Sequence, residues 1–178
     1  CEGVNTEPDY FNAFRLTSAT VKAIGQGMGT LALVQKAINI KEQERQGWRT
    51  YNQNWVVFDK DDFPENDFNS AILSARQNGF EVAYSNQAFE FWFLLHFNLY
   101  QGALHRSRYE KMLSTLLGFA YTKKSGVSSK MFNALFLKQE QAINHAKTIM
   151  KQFDGNNPAQ QESSTTVYRL VEELNNFL

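Results

Sequence analysis

The chain has 178 residues, 43% of them hydrophobic, and it balances 18 Lys and Arg against 18 Asp and Glu, so its formal net charge is zero. This apolar content, with 15 Phe, 7 Tyr and 3 Trp, excludes a wholly disordered chain, and no stretch approaches the roughly 20 apolar residues of a membrane span. The single cysteine excludes an intrachain disulfide and a cysteine-rich zinc site, so we expect one cytoplasmic domain over residues 1–178.

Helical and strand-like patterns alternate through the first half of the chain. Apolar residues at helical spacing indicate a helix, whereas a period-two alternation or a short unbroken apolar run indicates a strand. In chain order they predict a helix at 7–14, a strand at 19–24, a helix at 30–40, a strand at 55–58, a helix from 68 to near Gly79 and a strand at 80–84.

The second half has mainly helical patterns. They predict helices at 89–97, 106–117, 129–153 and 165–178, with a polar loop at 154–164. Alternating strands and helices favour an α/β fold with a mainly parallel sheet flanked by helices, whose ligand sites lie at the carboxyl ends of the strands. We therefore expect an α/β core at 1–100 and a helical extension at 101–178.

Charges are distributed unevenly along the chain. Residues 59–90 carry seven acids against two bases, whereas residues 101–151 carry nine bases against two acids. An acidic region beside a basic one suits a metal site next to a surface that contacts phosphates. Two ordinary solvated faces would give the same pattern, so both interpretations remain open.

The first candidate site residues follow the apolar run 55–58. Asp59 and Asp61 are two residues apart on an extended segment, so their side chains point to the same side while Lys60 points away. Carboxylate oxygens suit Mg²⁺ or Mn²⁺. Because acidic turns after strands are common, this pair alone fits a polar turn as well as a metal site.

The start of the chain supplies two more carboxylates. Glu2 precedes Gly3, which permits a tight turn, and Glu7 lies in the first turn of the helix 7–14. An acid in that turn complements the helix dipole, so Glu7 has a structural explanation that Glu2 lacks. Glu2 would stand at a strand end if a strand precedes Cys1 in the full protein.

The apolar segment after the third predicted strand contains two polar residues, Glu90 and His96. A buried carboxylate must be paired or bind a metal, so Glu90 is a cation ligand, a partner of Lys123 or an ion-paired residue of the fold. We expect His96 to be a core histidine rather than a ligand. Ser85 and Asn86, at the end of the strand, are candidates to line the site.

Basic residues of the second half are candidates to contact phosphate. Lys123 suits charge stabilisation on a phosphate, although a solvated loop lysine has the same sequence context. With Lys124 and Lys130, we expect it to hold a nucleic-acid backbone. The glycine-rich turn at 25–30 precedes a helix, as phosphate-binding turns do, but it lacks the lysine of a P-loop and is interpreted as a structural turn.

Glu-Gly at one strand end and Asp-x-Asp at another, with a strand and a helix between them, resemble the TOPRIM catalytic domain of topoisomerases, primases and OLD-type nucleases. The resemblance implies that Glu2, Asp59 and Asp61 bind magnesium. It also implies that Glu7 corresponds to the additional acid of the OLD-type sequence, and that Glu2 serves as general base or acid.

Five motifs in order resemble the RloB family over nearly the whole chain. They lie at residues 1–11, 57–61, 83–97, 121–123 and 164–171. One departure is Gln87, at the place of the proline in the family's Asn-Pro pair. The resemblance implies a TOPRIM-like protein of a restriction or abortive phage infection system, often encoded beside an ATPase.

The residues and the resemblance together predict a nuclease that cleaves DNA or RNA with Mg²⁺ or Mn²⁺, and the resemblance implies an ATPase partner. Glu2 and Lys123 are the expected catalytic residues, and the expected metal ligands are Glu2, Glu7, Asp59, Asp61 and Glu90. One alternative is a non-catalytic regulatory or interaction module that keeps the fold. Another is a phosphatase with Asp59 as nucleophile and Asp61 as acid.

Overall fold

A computed structural model describes residues 1–124 and 127–178 of the chain. Its helices are α1 (Thr6–Asn12), α2 (Thr30–Gln46), α3 (Glu65–Gln77), α4 (Glu90–Leu95), α5 (Tyr109–Leu117), α6 (Val127–Leu135), α7 (Gln139–Met150) and α8 (Val167–Asn175). Its strands are β1 (Trp55–Asp59), β2 (Glu81–Asn86) and β3 (Ser164–Thr165). Short 3-10 turns lie at Arg106–Arg108, Phe136–Lys138 and Pro158–Gln160.

The described part of the chain forms one sheet of three strands in the order β1-β2-β3. β1 and β2 are parallel, with Trp55 opposite Glu81 and Asp59 opposite Ser85. β3 pairs antiparallel with the end of β2, where Thr165 lies opposite Ser85. The chain is thus a mixed α/β protein, as predicted, but its small sheet contains one antiparallel pairing, and residues on both sides of position 100 contribute strands to it.

The sheet separates two hydrophobic cores because strand side chains alternate between its faces. Val57 and Ala83 point into the larger core, which contains side chains of α1 and of α4 to α8. Val56 and Phe58 point into the smaller core, which is built with α2 and α3. Burial on both faces explains why β1 is an unbroken apolar run in the sequence.

The predicted strand at 19–24 is wrong. Its backbone polar groups bond outside the sheet: the Ile24 carbonyl accepts from the Cys1 amine at 2.9 Å, and the Ala23 backbone bonds in both directions with the Asn12 side chain at 3.1 Å. These bonds use backbone groups that a strand would pair with a neighbouring strand, so the alternating pattern of the segment does not produce a strand.

The single long helix predicted at 129–153 is also wrong, because α6 and α7 are separated by the 3-10 turn Phe136–Lys138. α6 packs against α1, whereas α7 packs against α4 and α8. Similarly, the predicted helix at 165–178 begins as β3 and becomes helical at Val167.

Among residues 1–124 and 127–178, none of the helices is both long enough and apolar enough to cross a bilayer.

Candidate functional site

A cavity of about 200 Å³ lies at the carboxyl end of β1 and contains most of the predicted site residues. It is lined by Glu2, Gly3, Val4, Asn5, Thr6, Glu7, Asp59, Asp61, Phe89, Glu90 and Lys123. The structure thus brings together all five carboxylates predicted as metal ligands, from three separate parts of the chain, and adds the lysine predicted to act on phosphate.

Asp59 is the last residue of β1, and its side chain is buried. Its Oδ2 accepts a hydrogen bond from the Phe89 backbone N–H at 3.0 Å. Its Oδ1 is buried and has no hydrogen-bond partner among the described residues. Burial raises the pKa of Asp59 well above its usual range, and the charges of Glu7 and Glu90 raise that pKa further.

Glu2 is held beside β1 by two hydrogen bonds. Its backbone N–H donates to the Val57 carbonyl at 2.8 Å, and its side-chain Oε2 accepts from the Asp59 N–H at 2.9 Å. Burial raises the pKa of Glu2 to about 7, although the Asp59 N–H favours the charged form, and Asp61 adds to the increase. Glu2 therefore titrates near neutral pH.

Glu7 lies in the first turn of α1, where only 4% of it is exposed. Its Oε1 accepts from the Gly3 N–H at 3.0 Å. A Cβ on Gly3 would come within 2.0 Å of Glu7 Oε2, so only glycine allows the carboxylate to lie against this backbone. Burial raises the pKa of Glu7, although its backbone hydrogen bonds act in the opposite direction, and the charge of Glu90 raises the pKa further. An exposed acid that only complemented the helix dipole would not have a raised pKa.

Asp61 lies in the turn after β1 and is partly buried. Its backbone has φ 41°, in the left-handed region that Asp tolerates better than most residues, and its N–H donates to the Gln87 carbonyl at 2.9 Å. The Arg106 guanidinium donates to Asp61 and to Asp62. Sequence reasoning did not single out Arg106, because no local pattern connects it to the turn that it contacts.

Glu90, at the start of α4, is 2% exposed and ion-paired within the cavity. Its Oε1 accepts from the Tyr121 hydroxyl at 2.9 Å, and its Oε2 lies 3.2 Å from Lys123 Nζ. Desolvation opposes the charged form of Lys123, but the charges of Glu90 and then Asp59 give a net increase in the lysine pKa. Of the interpretations open for Glu90, a partnership with Lys123 matches the geometry, and Tyr121 is a further partner that sequence reasoning did not assign.

Other candidates lie outside the cavity. Lys124 and Lys130 are exposed. Ser85 Oγ bonds with Thr165 Oγ1 at 3.1 Å, so it joins β2 to β3 rather than lining the cavity. His96 is fully buried and its Nδ1 donates to the carbonyl one turn before it at 2.9 Å, in agreement with its interpretation as a core histidine.

Two further predicted features have structural roles. The Asn86 amide donates to the carbonyls of Pro158 and Ala159, so it binds the 3-10 turn near the end of the chain. In the glycine-rich turn 25–30, the Gly27 N–H donates to the Glu2 carbonyl at 2.8 Å. The turn therefore supports the backbone of a site residue, in line with its interpretation as a structural turn.

The cavity side chains partly fit a divalent cation. Hard carboxylate oxygens and the buried, unpartnered Asp59 Oδ1 are suitable ligands. Within residues 1–124 and 127–178, however, no three Asp, Glu, His or Cys side chains are arranged to hold a metal ion. Glu2 and Glu7 each use one oxygen on a backbone N–H, and Asp61 is engaged by Arg106, so bound metal would require side-chain rotation.

A larger groove of about 800 Å³ lies beside residues 16–26 and 50–57 and contains none of the predicted site residues. Its charged lining residues are engaged with other groups: Lys22 pairs with Glu44, and Lys41 donates to the Asn78 carbonyl. Because these charged groups are paired with one another or bonded to backbone carbonyls, whereas five acids converge on the smaller cavity, we place the candidate site in the smaller cavity.

The fold and the cavity define an α/β protein with a carboxylate-lined site at the carboxyl end of a parallel strand pair. The chain belongs to the RloB-like family, since the family model described as RloB-like protein matches residues 1–174. The predicted family is therefore confirmed. No curated protein and no solved structure matches the chain.

Proposed function

We propose that the chain is a divalent-metal-dependent nucleic-acid phosphodiesterase with a TOPRIM-like arrangement, which acts in a phage-defence or restriction-associated system together with an ATPase. The observation that carries this proposal is the gathering of five carboxylates and Lys123 in one cavity, where a buried Asp59 oxygen has no partner in the described part of the chain. Burial, with an added contribution from the neighbouring acids, raises the pKa of Asp59, Glu2 and Glu7, which is an unfavourable arrangement for the ionised carboxylates unless a cation uses it.

The donor set suits Mg²⁺ or Mn²⁺ held by Asp59, Asp61, Glu2 and Glu7, with Glu90 as a further candidate. Bound there, the cation would supply Lewis-acid polarisation of a phosphate and would make water more acidic. Asp59 offers its free Oδ1 and keeps its Oδ2 on the Phe89 N–H, which fixes the orientation of the carboxylate.

The proposed reaction is hydrolysis of a phosphodiester, in which side chains of this cavity bind the phosphate and accept a proton. The attacking water forms a bond to phosphorus, the bond to the leaving oxygen breaks, and the leaving oxygen takes a proton from solvent. Glu2, which hydrogen bonds hold beside Val57 and Asp59, would accept the proton of the water. Lys123, 56% exposed at the cavity, can bind a phosphate oxygen while Glu90 orients it.

The exposed lysines of the second half would hold the rest of the substrate. Lys124 and Lys130 are exposed in a region of the chain with nine bases against two acids. Contacts of this kind follow the phosphate backbone and weaken as salt increases.

The test is cleavage of labelled DNA and RNA with Mg²⁺ or Mn²⁺, by the protein alone and with the proposed ATPase partner. Asp59→Asn should reduce the rate by at least about 100-fold, since even outer-shell substitutions at metal sites cost 10- to 100-fold. Glu81→Gln is the matched control, because Glu81 is an exposed acid at the opposite end of β2. A folded protein that cleaves neither substrate under any of these conditions would contradict the proposal.

A non-catalytic regulatory or interaction module is the second candidate. It is favoured by the protein donors that already engage the acids, notably Arg106 on Asp61 and Lys123 on Glu90. Calorimetry with MnCl₂ separates the two functions. If wild-type protein binds no cation at millimolar concentration and Asp59→Asn leaves phage defence intact, the regulatory function is correct.

A further inference from the structure

Arg106 contacts the candidate site through its side chain but is fixed to the fold through its backbone. It opens the 3-10 turn Arg106–Arg108 before α5, and its backbone N–H donates to Gln87 Oε1 at 2.8 Å. Its guanidinium donates from one nitrogen to Asp61 and from another to Asp62. The anchor therefore remains in place if the guanidinium moves.

The guanidinium and a divalent cation require the same carboxylate. Asp61 lines the cavity and is a proposed metal ligand, and its Oδ1 is engaged by Arg106. The pair is easily exchanged, because the side chains of Arg106 and Asp61 are 30% and 33% exposed, and that of Asp62 is 86% exposed. Ion pairs that are open to solvent contribute little, so a dication in the cavity can displace the guanidinium.

We propose that Arg106 is a phosphate-binding residue of this site, which stays on Asp61 and Asp62 until a divalent cation takes Asp61. This inference rests on the proposed function. Once released, the guanidinium remains at the cavity edge through the bond of its backbone to Gln87. Its planar set of N–H donors matches two phosphate oxygens at once, which a lysine cannot do.

The exchange couples the two ligands, so metal binding increases the affinity for nucleic acid and nucleic acid increases the affinity for metal. The exchange also limits nucleic-acid binding in the absence of metal, because a phosphate would have to compete with the carboxylates of Asp61 and Asp62 for Arg106. A simple structural brace would behave differently, since its removal would weaken the site for both ligands.

The first measurement is calorimetry with MnCl₂ alone. Arg106→Gln should bind Mn²⁺ about two- to fivefold more tightly than wild type, the range that corresponds to the loss of one exposed ion pair. Arg108→Gln is the matched control, because Arg108 is an exposed arginine of the same turn. Arg106→Lys keeps the charge and should give an intermediate affinity.

The second measurement is fluorescence anisotropy with a labelled, nuclease-resistant 2′-O-methyl oligonucleotide. With Mg²⁺ present, Arg106→Gln should bind it at least about tenfold more weakly than wild type, as expected for one charge-assisted phosphate contact. With EDTA the two proteins should bind equally. Arg108→Gln should match wild type in the dependence on Mg²⁺.

Two outcomes overturn the inference about Arg106: unchanged or weaker Mn²⁺ binding by Arg106→Gln, or an equal loss of oligonucleotide binding with and without Mg²⁺. Both leave the proposed function standing, because wild type still binds Mn²⁺. Absence of Mn²⁺ binding by wild type overturns the proposed function itself, and the inference with it. Thermal unfolding of each variant in EDTA shows whether the fold is intact.

Discussion

Asp59→Asn should make the metal-free protein more stable while it removes the response to cations. Asn keeps the shape of the side chain and an acceptor for the Phe89 N–H, but it removes the negative charge. In wild type that charge is buried beside Glu7 and Glu90, which holds the pKa of Asp59 well above its ordinary value of 3.8. The substitution therefore relieves an unfavourable charge without opening a cavity.

The sign of the pH dependence follows from this increased pKa. Folded protein binds a proton at Asp59 more strongly than unfolded protein, so wild type loses stability as pH rises above 3.8. The variant lacks this loss, and the difference between the two proteins should grow with pH. Relief of one such charge at a functional site contributes about 1–2 kcal/mol, or a Tm increase of roughly 2–8 °C for this chain length.

Divalent cation should reverse the order of stability. At a free concentration 100 times its Kd, a cation that binds only folded protein stabilises it by about 2.7 kcal/mol, which exceeds the gain expected for the variant. The assay is calorimetric or fluorescence-detected melting at pH 5 and pH 8, in EDTA and with increasing MnCl₂, beside Glu81→Gln as control. The reasoning is refuted if Asp59→Asn melts below wild type in EDTA at pH 8, or if MnCl₂ shifts both proteins equally.

Gly3→Ala should weaken Mn²⁺ binding by at least about tenfold and destabilise the fold by about 1–3 kcal/mol. The new Cβ would lie 2.0 Å from Glu7 Oε2, so Glu7 would have to move and its hydrogen bond with the N–H of residue 3 would break. Calorimetry and urea unfolding measure these effects, and unchanged Mn²⁺ affinity would contradict the contact. His96→Gln should reduce the loss of unfolding free energy that wild type shows at acid pH. Burial lowers the pKa of folded His96 to about 4, so the unfolding free energy of wild type falls by up to about 3 kcal/mol as pH falls from 6.5 to 4. Parallel urea-unfolding profiles for wild type and His96→Gln across this range would rule out the effect.

The sequence allowed prediction of those features that depend on local pattern. β1 and β2 follow from short apolar runs, and the placement of Asp59 follows from its position directly after the first run. Parallel strands bring their carboxyl ends to one edge, so acids after different strands are expected to meet. Glu90 follows β2 and joins Asp59 in the cavity for this reason, whereas hydrogen bonds to β1 and to Gly3 place Glu2 and Glu7 there.

Features that depend on distant contacts could not be predicted in this way. Alternation at 19–24 matches a strand, but the pattern contains no information on the Asn12 side chain that takes up its backbone groups. Apolar spacing continues through Phe136–Lys138, so the break between α6 and α7 is set by the helices that they pack against. Arg106 contacts Asp61 although 45 positions separate them in the sequence, and the sequence around neither residue predicts this contact.

Acids outside the cavity provide a comparison that separates the site from ordinary structure. Glu42 on α2 accepts two hydrogen bonds from Arg45, which lower its pKa to about 2, and Glu44 is lowered in the same direction by Lys22. Asp59 and Glu2 are the same kind of group, yet their pKa values are raised. The difference arises because burial in the cavity disfavours the charged forms of Asp59 and Glu2 and neighbouring acids raise both pKa values further, whereas Glu42 is exposed and paired with Arg45. A divalent cation supplies two positive charges at that place, and it would favour the ionised form of both carboxylates as Arg45 does for Glu42.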